Sequence, residues 1–588
     1  MPPTITEDEP QSRDEAQEQA VQCLIDAADT EVDLAGLGNE VDPDFHFAAG
    51  EPETPATQEP ATAAAPDVSG EEGLNPHRWI ILVALVLASV LELLDTTSVT
   101  VAVPQMMGNL GATLDEIGWV STSYILSNVI VLPMTAWLSG RFGRKNYLVA
   151  SILLFTAASF LCGTASSLGV LIFWRIWQGI GGAALISTAQ STLVEIFPRS
   201  QVALVQSLFA FGLIVAPTLG PTFGGWMVDN YSWQWIFFAK SPLGLLAAAL
   251  VWRFLSDAPY ASPPRSVDWT GIGLLGVGLG SLQYVLEEGN RYDWFNDPTI
   301  SKLGAAAALA LIAFIYWELN PRNPAPVVNL RVLSERSLVA GVLLQFVLGF
   351  GLYGATFVIP QFVQEILGFT PTESGLVLLP GGIVMAAAAL TSGQSLQRGV
   401  DPRILVAIGV PLNIWSMWTL GHLAPMSGYG DVDWGLILRG LGSGLLFTPI
   451  VVCAFAGLRG PQVPQGAGLL NLARQLGGSL SIALLSTYVD HMLAFHRAML
   501  VSNINPDNPA LQQRLSGAAQ ALVQHGYTPV EAHAGALGLI DHALMMQASV
   551  MSYDDTFLFV GMCFLVTYPL VFILRRPKAA AADAGGAH

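Results

Sequence analysis

Residues 79–104 read WIILVALVLASVLELLDTTSVTVAVP, an apolar run that contains two carboxylates, Glu92 and Asp95. A membrane-spanning helix needs about 20 mostly apolar residues, and an ionisable residue inside one is costly. Glu92 and Asp95 are three positions apart, so they share one face of a helix. The stretch therefore predicts a membrane-spanning helix whose acidic side chains serve a function.

The composition of the whole chain is that of a membrane protein. Its 588 residues are 52% hydrophobic and 12% charged, against about 25% charged in a typical soluble domain. The net charge of -20 arises mainly in residues 1–75, which hold 19 of the 45 acidic residues and one base, Arg13. Because this tail has little apolar surface to bury, we predict that it is disordered and cytoplasmic.

Fourteen apolar runs of sufficient length predict an all-α integral membrane fold. They lie near residues 79–100, 115–137, 147–166, 170–192, 203–226, 233–254, 269–286, 301–318, 337–360, 373–394, 403–421, 434–455, 466–488 and 555–574. If the N-terminus is cytoplasmic, 17 Lys and Arg residues fall in inside segments, four in outside segments and four within spans. The positive-inside rule therefore predicts a multi-pass membrane protein with both termini in the cytoplasm.

The chain also contains an internal repeat. Gly118 and Arg141 bracket the second span at a separation of 23 residues, and Gly375 and Arg398 bracket the tenth at the same separation. Repeated halves are typical of transporters with a substrate path between them. We predict a six-helix half at 78–254, two additional helices at 269–318, a second half at 337–576 with an external helical hairpin at 490–554, and a cytoplasmic tail at 577–588.

Several other functions lack the residues they would need. The four cysteines are scattered and the nine histidines fall outside the apolar runs, so we expect no metal site, no cofactor and no disulfide framework. We see no phosphate-binding loop of an ATP-driven pump and no basic patch for nucleic acid. A membrane-embedded enzyme or a receptor scaffold remains an alternative, although an enzyme should show clustered catalytic groups and a scaffold leaves the buried charges unexplained.

Seven motifs, in order along residues 78–576, resemble those of one known family. They are LDTTSVTVAVP (94–104), SGRFGRK (139–145), RIWQGIGGA (175–183), APTLGPTFGGW (216–226), WQWIFF (233–238), VLEEGNRYDWF (285–295) and RQLGGSLSIAL (474–484). Together they are similar to the major facilitator superfamily, in its branch of fourteen-span drug:proton antiporters of the EmrB/QacA type. The resemblance implies two pseudo-symmetric six-helix bundles with two extra central helices, and a multidrug efflux transporter driven by the proton gradient.

The resemblance also assigns roles to particular residues. The match places Asp95 in proton coupling, and the positions and charges of Glu92 and Arg175 add these two residues to the same site. A loop that controls conformation would contain Arg141, Gly143, Arg144 and Lys145, although the acidic position of this family loop is Gly140 here, which puts a charge lock through it in doubt. The antiporter motif, associated with a seal against proton leak, would contain Pro217, Gly220, Pro221, Gly224 and Gly225.

The depth of the charged residues suggests how such a site could work. Asp95 and Arg175 each lie about five residues from the outer end of their spans, so they can pair at one depth. Two nearby carboxylates in a low dielectric cannot easily both be ionised, so one is expected to exchange a proton in competition with a cationic drug.

Lys240, Glu287 and Glu288 lie near outer span ends, from which side chains can reach the interface. Further candidates for the substrate cavity are Thr96, Tyr124, Asn128, Gln178, Tyr353, Gln361, Asn471, Arg474 and Gln475.

The resemblance also implies a class of cargo and possible protein partners. We expect a small-molecule substrate and contact with membrane lipid. The hairpin at 490–554 resembles that of family members that pass cargo to a periplasmic adaptor and an outer-membrane channel. The alternative within transport is a dedicated exporter of an endogenous metabolite such as a siderophore, a fatty acid or an antibiotic.

Overall fold

The computed structural model describes residues 76–257, 267–323, 325–424, 427–502, 504 and 508–572. Within these ranges the regular structure is helical and no strand is present. Contacts divide the chain into Met1–Ala64 and Ala65–His588, and every described residue belongs to the second unit. The tails predicted at 1–75 and 577–588 lie outside the described residues.

Eighteen α-helices follow one another along the described part of the chain. The first nine are α1 (Arg78–Leu110), α2 (Leu114–Ile117), α3 (Trp119–Val131), α4 (Thr135–Phe142), α5 (Arg144–Gly163), α6 (Leu168–Ile196), α7 (Arg199–Asn230), α8 (Gln234–Phe238) and α9 (Lys240–Phe254). The others are α10 (Trp269–Glu288), α11 (Pro298–Leu319), α12 (Arg336–Glu365), α13 (Pro371–Gln397), α14 (Pro402–Leu420), α15 (Tyr429–Phe455), α16 (Gln462–Ser502), α17 (Pro509–Gln524) and α18 (Pro529–Thr567).

Most of the predicted membrane spans appear as single long helices. Thirteen helical stretches in the described ranges are long and apolar enough to cross a membrane. The remaining predicted span, 466–488, lies in α16, whose mean hydropathy is lowered by polar residues such as Asn471, Arg474 and Gln475. Since α16 packs along α6, α12 and α18, it runs within the same bundle as the apolar helices.

The second predicted span is interrupted rather than continuous. Pro133 has no N–H to donate, and residues Leu132–Met134 form a 3₁₀ turn between α3 and α4. The short helix α2 lies just before α3 and is capped by Thr113. The N–H of Thr113 donates a hydrogen bond to the Glu116 carboxylate, which lowers the pKa of Glu116. Both α3 and α4 contact α6, but α3 also contacts α10, whereas α4 also contacts α5 and α16.

The helices pack in two groups that touch along a few helix pairs. In the first group α1 packs on α6, α7 and α9, and α5 packs on α6. In the second group α12 packs on α16, and α15 packs on α13 and α14. The groups meet where α7 contacts α13 and where α6 contacts α16, while α10 lies against both α3 and α16.

The region predicted as an external hairpin is formed largely by extensions of membrane-spanning helices. The helix α16 continues past the predicted span end to Ser502, and α18 begins at Pro529 and runs without interruption to Thr567. Between them α17 packs on α18. A capping box of Thr528 and Glu531 starts α18, because each side chain accepts a hydrogen bond from the backbone of the other.

Candidate functional site: a buried charge cluster in the first helix

Asp95 lies at the centre of a fully buried cluster of charged side chains. Its exposed fraction is 0%. Its Oδ2 accepts a hydrogen bond from Arg175 Nη1 of α6 at 2.5 Å, and its Oδ1 accepts one from Gln178 Nε2 at 2.9 Å. Lys240 Nζ, at the start of α9, also forms an ion pair with Oδ1. Three helices are thus joined by one carboxylate.

Arg175 is fixed by further contacts on its other sides. Its Nε donates to the Val120 carbonyl at 2.9 Å, and its Nη1 also donates to Gln178 Oε1 at 2.9 Å. The guanidinium lies 4.4 Å from the centre of the Tyr124 ring, a cation–π contact. The structure therefore brings Asp95 and Arg175 together with two of the cavity candidates, Tyr124 and Gln178, in a closely packed arrangement.

Lys240 is the clearest departure from the sequence-based expectation. Its depth suggested a side chain reaching the membrane interface, but it is 2% exposed and bound to Asp95. The expectation was wrong because a long lysine side chain can extend inward as well as outward, and a buried carboxylate stabilises the inward direction. Formally, the cluster has two positive charges and one negative charge.

Glu92, one turn earlier on α1, has a different environment. It is 7% exposed. Its Oε1 accepts a hydrogen bond from Asn128 Nδ2 at 3.2 Å, whereas its Oε2 has no hydrogen-bond partner among the described residues. Within that part of the chain Glu92 forms no ion pair. The neighbouring Thr96 hydroxyl donates its hydrogen bond to the Glu92 backbone carbonyl at 3.2 Å and not to the Glu92 carboxylate.

Among the candidates from the second half of the chain, Arg474 lies within electrostatic range of Glu92. Arg474 Nη2 donates to Asn471 Oδ1 at 3.0 Å, and Asn471 Nδ2 donates to Gln190 Oε1 of α6 at 2.8 Å. Tyr353 packs against Gly478, and Gln475 is half-buried. Gln361 lies farther along α12, beside a separate cavity.

The loop motif between α4 and α5 is held by two acidic residues, Glu195 of α6 and Asp257 just after α9. Arg144 is buried and forms an ion pair with Glu195 near the end of α6. The Lys145 N–H donates to Asp257 Oδ1 at 2.9 Å, while the Arg141 side chain is exposed. Gly143 has φ +81° and its Cα faces Asp257, a backbone conformation that favours glycine. The loop is thus anchored by charge although Gly140 occupies the usual acidic position.

The antiporter motif forms the face of α7 that contacts α1. Ser98 Oγ donates to the Gly220 carbonyl at 3.2 Å. A methyl group on Gly224 would lie 2.8 Å from the Ser98 carbonyl oxygen, whereas one on Gly225 would lie 3.7 Å from Val101. The helix continues through Pro217 and Pro221 from Arg199 to Asn230. Close backbone approach of α1 and α7 is the structural role visible here.

Glu287 and Glu288 are also more enclosed than their position near a span end suggested. Glu288 is buried and pairs with Arg291 at 3.2 Å. Glu287 accepts hydrogen bonds from Thr122 Oγ1 of α3 at 3.2 Å and from Gln283 Nε2 at 3.0 Å. Both residues lie at the C-terminal end of α10, which packs against α3 and α16, and their interfacial position stays a prediction.

Sequence reasoning missed four residues that the structure connects to predicted ones: Lys240 as a partner of Asp95, Glu195 and Asp257 as anchors of the loop, and Gln190 as the partner of Asn471. The one usable signal was the position of Glu195, an acidic residue at the same membrane edge as the basic loop. For Asp257 and Gln190 no local pattern marks the partner, because the contact depends on which helices become neighbours.

These features define a class of protein: a multi-pass helical membrane transporter with a buried ion cluster in one group of helices and polar contacts between the two groups. The major facilitator superfamily model matches residues 85–482, and the chain belongs to this superfamily. This confirms the family and the two-bundle all-α fold predicted from the motifs. The chain is accordingly a transporter and not an enzyme.

Two bacterial relatives match nearly their whole length. The chain is 32% identical over 510 residues to the multidrug export protein EmrB of Escherichia coli K12, which covers 87% of this chain and 98% of EmrB. It is 32% identical over 512 residues to the fatty acid resistance protein FarB of Neisseria gonorrhoeae, with coverage of 87% and 98%. The crystal structure of the human organic anion transporter MFSD10 (TETRAN) shares the fold, with a TM-score of 0.55 at 12% identity over 84% of this chain and 100% of that one.

Proposed function

We propose that the chain is a proton-coupled exporter of hydrophobic and cationic toxic compounds, with Glu92 as the group that exchanges the proton. The observation that carries the assignment is the contrast between two carboxylates on one helix face. Asp95 is bound to two cations and an amide, whereas Glu92 has one amide donor and an oxygen with no partner among the described residues. The similarity to EmrB, named as a multidrug export protein, supports the class of cargo.

In this proposal the two carboxylates have separate tasks. Asp95 remains ionised and joins α1, α6 and α9, because removing its charge would leave Arg175 and Lys240 buried without an anion. Glu92 takes up a proton from the external side and releases it to the cytoplasm as the halves alternate. An ionised Glu92 attracts a cationic compound and a protonated one does not, so cargo and proton compete. The membrane potential contributes about 2.3 kcal/mol per charge per 100 mV.

A test on purified protein in liposomes measures proton flux when a cationic compound is added. We expect Glu92→Gln to abolish coupled flux while keeping the fold, since glutamine retains an oxygen that can accept from Asn128. Glu92→Asp, which keeps a titratable group, should retain part of the flux. Coupled flux at the wild-type rate in Glu92→Gln would refute the assignment of Glu92.

The membrane and its orientation follow from the distribution of basic residues. We propose a bacterial inner-membrane location with both termini in the cytoplasm. This places the loop at Arg144 and Lys145 inside, and α17 outside. Labelling of an introduced cysteine in α17 by a membrane-impermeant maleimide on intact spheroplasts should succeed, whereas a cysteine at Arg141 should remain unlabelled until the membrane is opened.

We further propose that the outward extension of α16 to α18 contacts a periplasmic adaptor. Its surface exposes apolar side chains that a partner could cover, namely Val523, Val530, Leu537 and Leu539. Val530→Glu with Leu537→Glu should prevent co-purification of the adaptor from native envelopes. As a control, Gln513→Glu with His533→Glu adds the same charge at exposed polar positions. Unchanged co-purification with the first pair would remove the adaptor from the proposal.

One observation favours a second candidate, export of an anionic amphiphile. Arg474 is buried, lies 5.8 Å from the Phe447 ring centre and forms no ion pair among the described residues. A carboxylate cargo could bind there, and FarB is named as a fatty acid resistance protein. Competition between a long-chain fatty acid and a cationic dye on the purified protein distinguishes the two, because only the anionic cargo should require Arg474.

A further inference from the structure

A second cavity lies well away from Glu92, among α12, α16 and α18. Its volume is about 360 Å³. It lies where α16 and α18 leave the bundle to form the extension, and we call it the hairpin-side pocket, defined by Phe357, Gln361, Glu365, Ser486, Asp490 and Tyr553. In α16, Asp490 follows Arg474 by about 24 Å along the helix axis. Since Arg474 is the residue of α16 within electrostatic range of Glu92, the pocket is distinct from the surroundings of Glu92.

The charge of this pocket is one-sided. Glu365 and Asp490 both line it, and none of its lining residues is a lysine, an arginine or a histidine. Within the described part of the chain neither carboxylate forms an ion pair with a basic side chain. Each accepts a hydrogen bond from a neutral group instead: Tyr553 OH donates to Glu365 Oε2 at 2.7 Å, and Asn290 Nδ2 donates to Asp490 Oδ2 at 3.2 Å. Both carboxylates are exposed at the edge of the pocket, and these contacts orient them without cancelling their charge.

The rest of the wall combines apolar and hydroxyl groups on firmly packed helices. Tyr553 is buried, and its ring lies 5.6 Å from the ring of Phe362, so the face it presents to the pocket is held in place. Phe357 and Val489 add apolar surface, and Ser486 adds a hydroxyl. Small-molecule sites commonly measure about 300–1,000 Å³ and combine apolar walls with a few oriented polar groups. The volume far exceeds the share of about 30 Å³ that one water occupies in the liquid.

We propose that the hairpin-side pocket is a second binding site for amphipathic organic cations, which cargo occupies after leaving Glu92 and before release on the side of α17. The proposal rests on the proposed export of cationic compounds. Two carboxylates without basic partners supply the charge complementarity, and the aromatic faces of Tyr553 and Phe357 can contact a cation or its apolar substituents. An anionic amphiphile of the same shape should be rejected by the same charges.

The test is equilibrium binding to the purified full-length protein in nanodiscs. The probes are radiolabelled tetraphenylphosphonium and tetraphenylborate, which have similar shapes and opposite charges. All variants carry Glu92→Gln, which removes the carboxylate of the first site. In this background we expect Glu365→Gln with Asp490→Asn to weaken tetraphenylphosphonium binding at least tenfold. The matched control is Asp229→Asn, which neutralises an exposed carboxylate at the end of α7 and should leave binding unchanged.

A second variant separates a pocket from a general charge effect. Ser486→Trp fills the cavity without changing its charge and should also weaken tetraphenylphosphonium binding at least tenfold, while thermal unfolding confirms that the variant is folded. The proposal fails if both variants bind tetraphenylphosphonium as the Glu92→Gln background does. It also fails if tetraphenylborate binds the pocket equally well, or if the pocket binds Ca²⁺ and excludes the organic cation. Each of these results would reject the hairpin-side pocket without rejecting the proposed export function. Proton flux that persists in Glu92→Gln would instead count against the proposed function and not against the pocket.

Discussion

At the scale of single residues, the first helix shows that two neighbouring carboxylates can have very different environments. Asp95 and Glu92 are one turn apart on α1. The side chain of Asp95 points to α6 and α9, where two cations and an amide surround it. That of Glu92 points to α3 and accepts from Asn128. In the proposed function, Asp95 therefore keeps its charge and holds the helices together, and Glu92 exchanges the proton.

The first prediction concerns the two cations of Asp95. Asp95→Asn leaves Arg175 and Lys240 buried beside a neutral amide, which should cost about 3–5 kcal/mol of stability. Lys240→Met leaves the Asp95–Arg175 pair electrically balanced and should cost about 1.5–3 kcal/mol, in the range of one lost hydrogen bond to a charged group. Thermal unfolding of the purified variants, followed by tryptophan fluorescence, shows which of the two variants loses more stability. Equal losses in the two variants would contradict the framework role of Asp95.

The residues of this site were predictable from sequence to different degrees. Counting positions from span ends places Asp95 and Arg175 at one depth, and the structure joins them at 2.5 Å. The same counting failed for Lys240, because depth along a helix does not say in which direction a long side chain extends. It also could not separate Glu92 from Asp95, since their environments depend on how α1 is rotated against α3, α6 and α9.

At the scale of helices, the packing of α7 on α1 depends on the absence of side-chain atoms at a few positions. The Gly224 Cα faces the Ser98 carbonyl, and Ser98 donates to the Gly220 carbonyl. Gly225, one position later, faces Val101 with space for a methyl group. Two neighbouring glycines of the same motif thus differ in what they contribute to the contact.

The second prediction uses this difference as a matched pair. Gly224→Ala places a methyl group 2.8 Å from a backbone oxygen, which forces α7 away from α1 and should cost about 1–3 kcal/mol. Gly225→Ala adds the same methyl group at 3.7 Å from Val101 and should be neutral or stabilising by up to about 1 kcal/mol, because alanine favours the helix. Thermal unfolding and proton leak in liposomes give the comparison. A Gly225→Ala variant as unstable as Gly224→Ala would argue against close approach as the reason for the motif.

The sequence predicts which helices are present better than it predicts where each helix ends. Apolar runs identified the spans, since burial in lipid requires them. The predicted span 466–488 ends well before α16 does, because the helix continues to Ser502 with polar residues that a hydropathy criterion excludes. In the same way, the second arm of the predicted hairpin and the last span form the single helix α18. Hydropathy reports where a helix meets lipid, whereas its end is set by caps and breaks such as Thr528 and Gly526.

At the scale of the whole molecule, the two groups of helices are joined by specific polar contacts at different depths. Gln190 of α6 accepts from Asn471 of α16 at 2.8 Å. Eight residues later on α16, Ser479 accepts from Gln283 of α10 at 2.9 Å, and Glu287 of α10 accepts from Thr122 of α3. Alternating access requires the halves to rock about the substrate path, so some contacts between the two groups must break during the cycle.

The third prediction follows for the contact between Gln190 and Asn471. We expect Gln190→Cys with Asn471→Cys, in a chain whose native cysteines are replaced, to be joined by a short bifunctional methanethiosulfonate reagent. Joining α6 to α16 should stop export and coupled proton flux, because the two groups can no longer separate there, and reduction of the cross-link should restore both. Each single cysteine treated with the same reagent should keep its activity. Full export by completely cross-linked protein would contradict the prediction, because α6 and α16 would then stay together throughout the cycle. The contact that opens during transport would have to lie between other helices, such as α7 and α13.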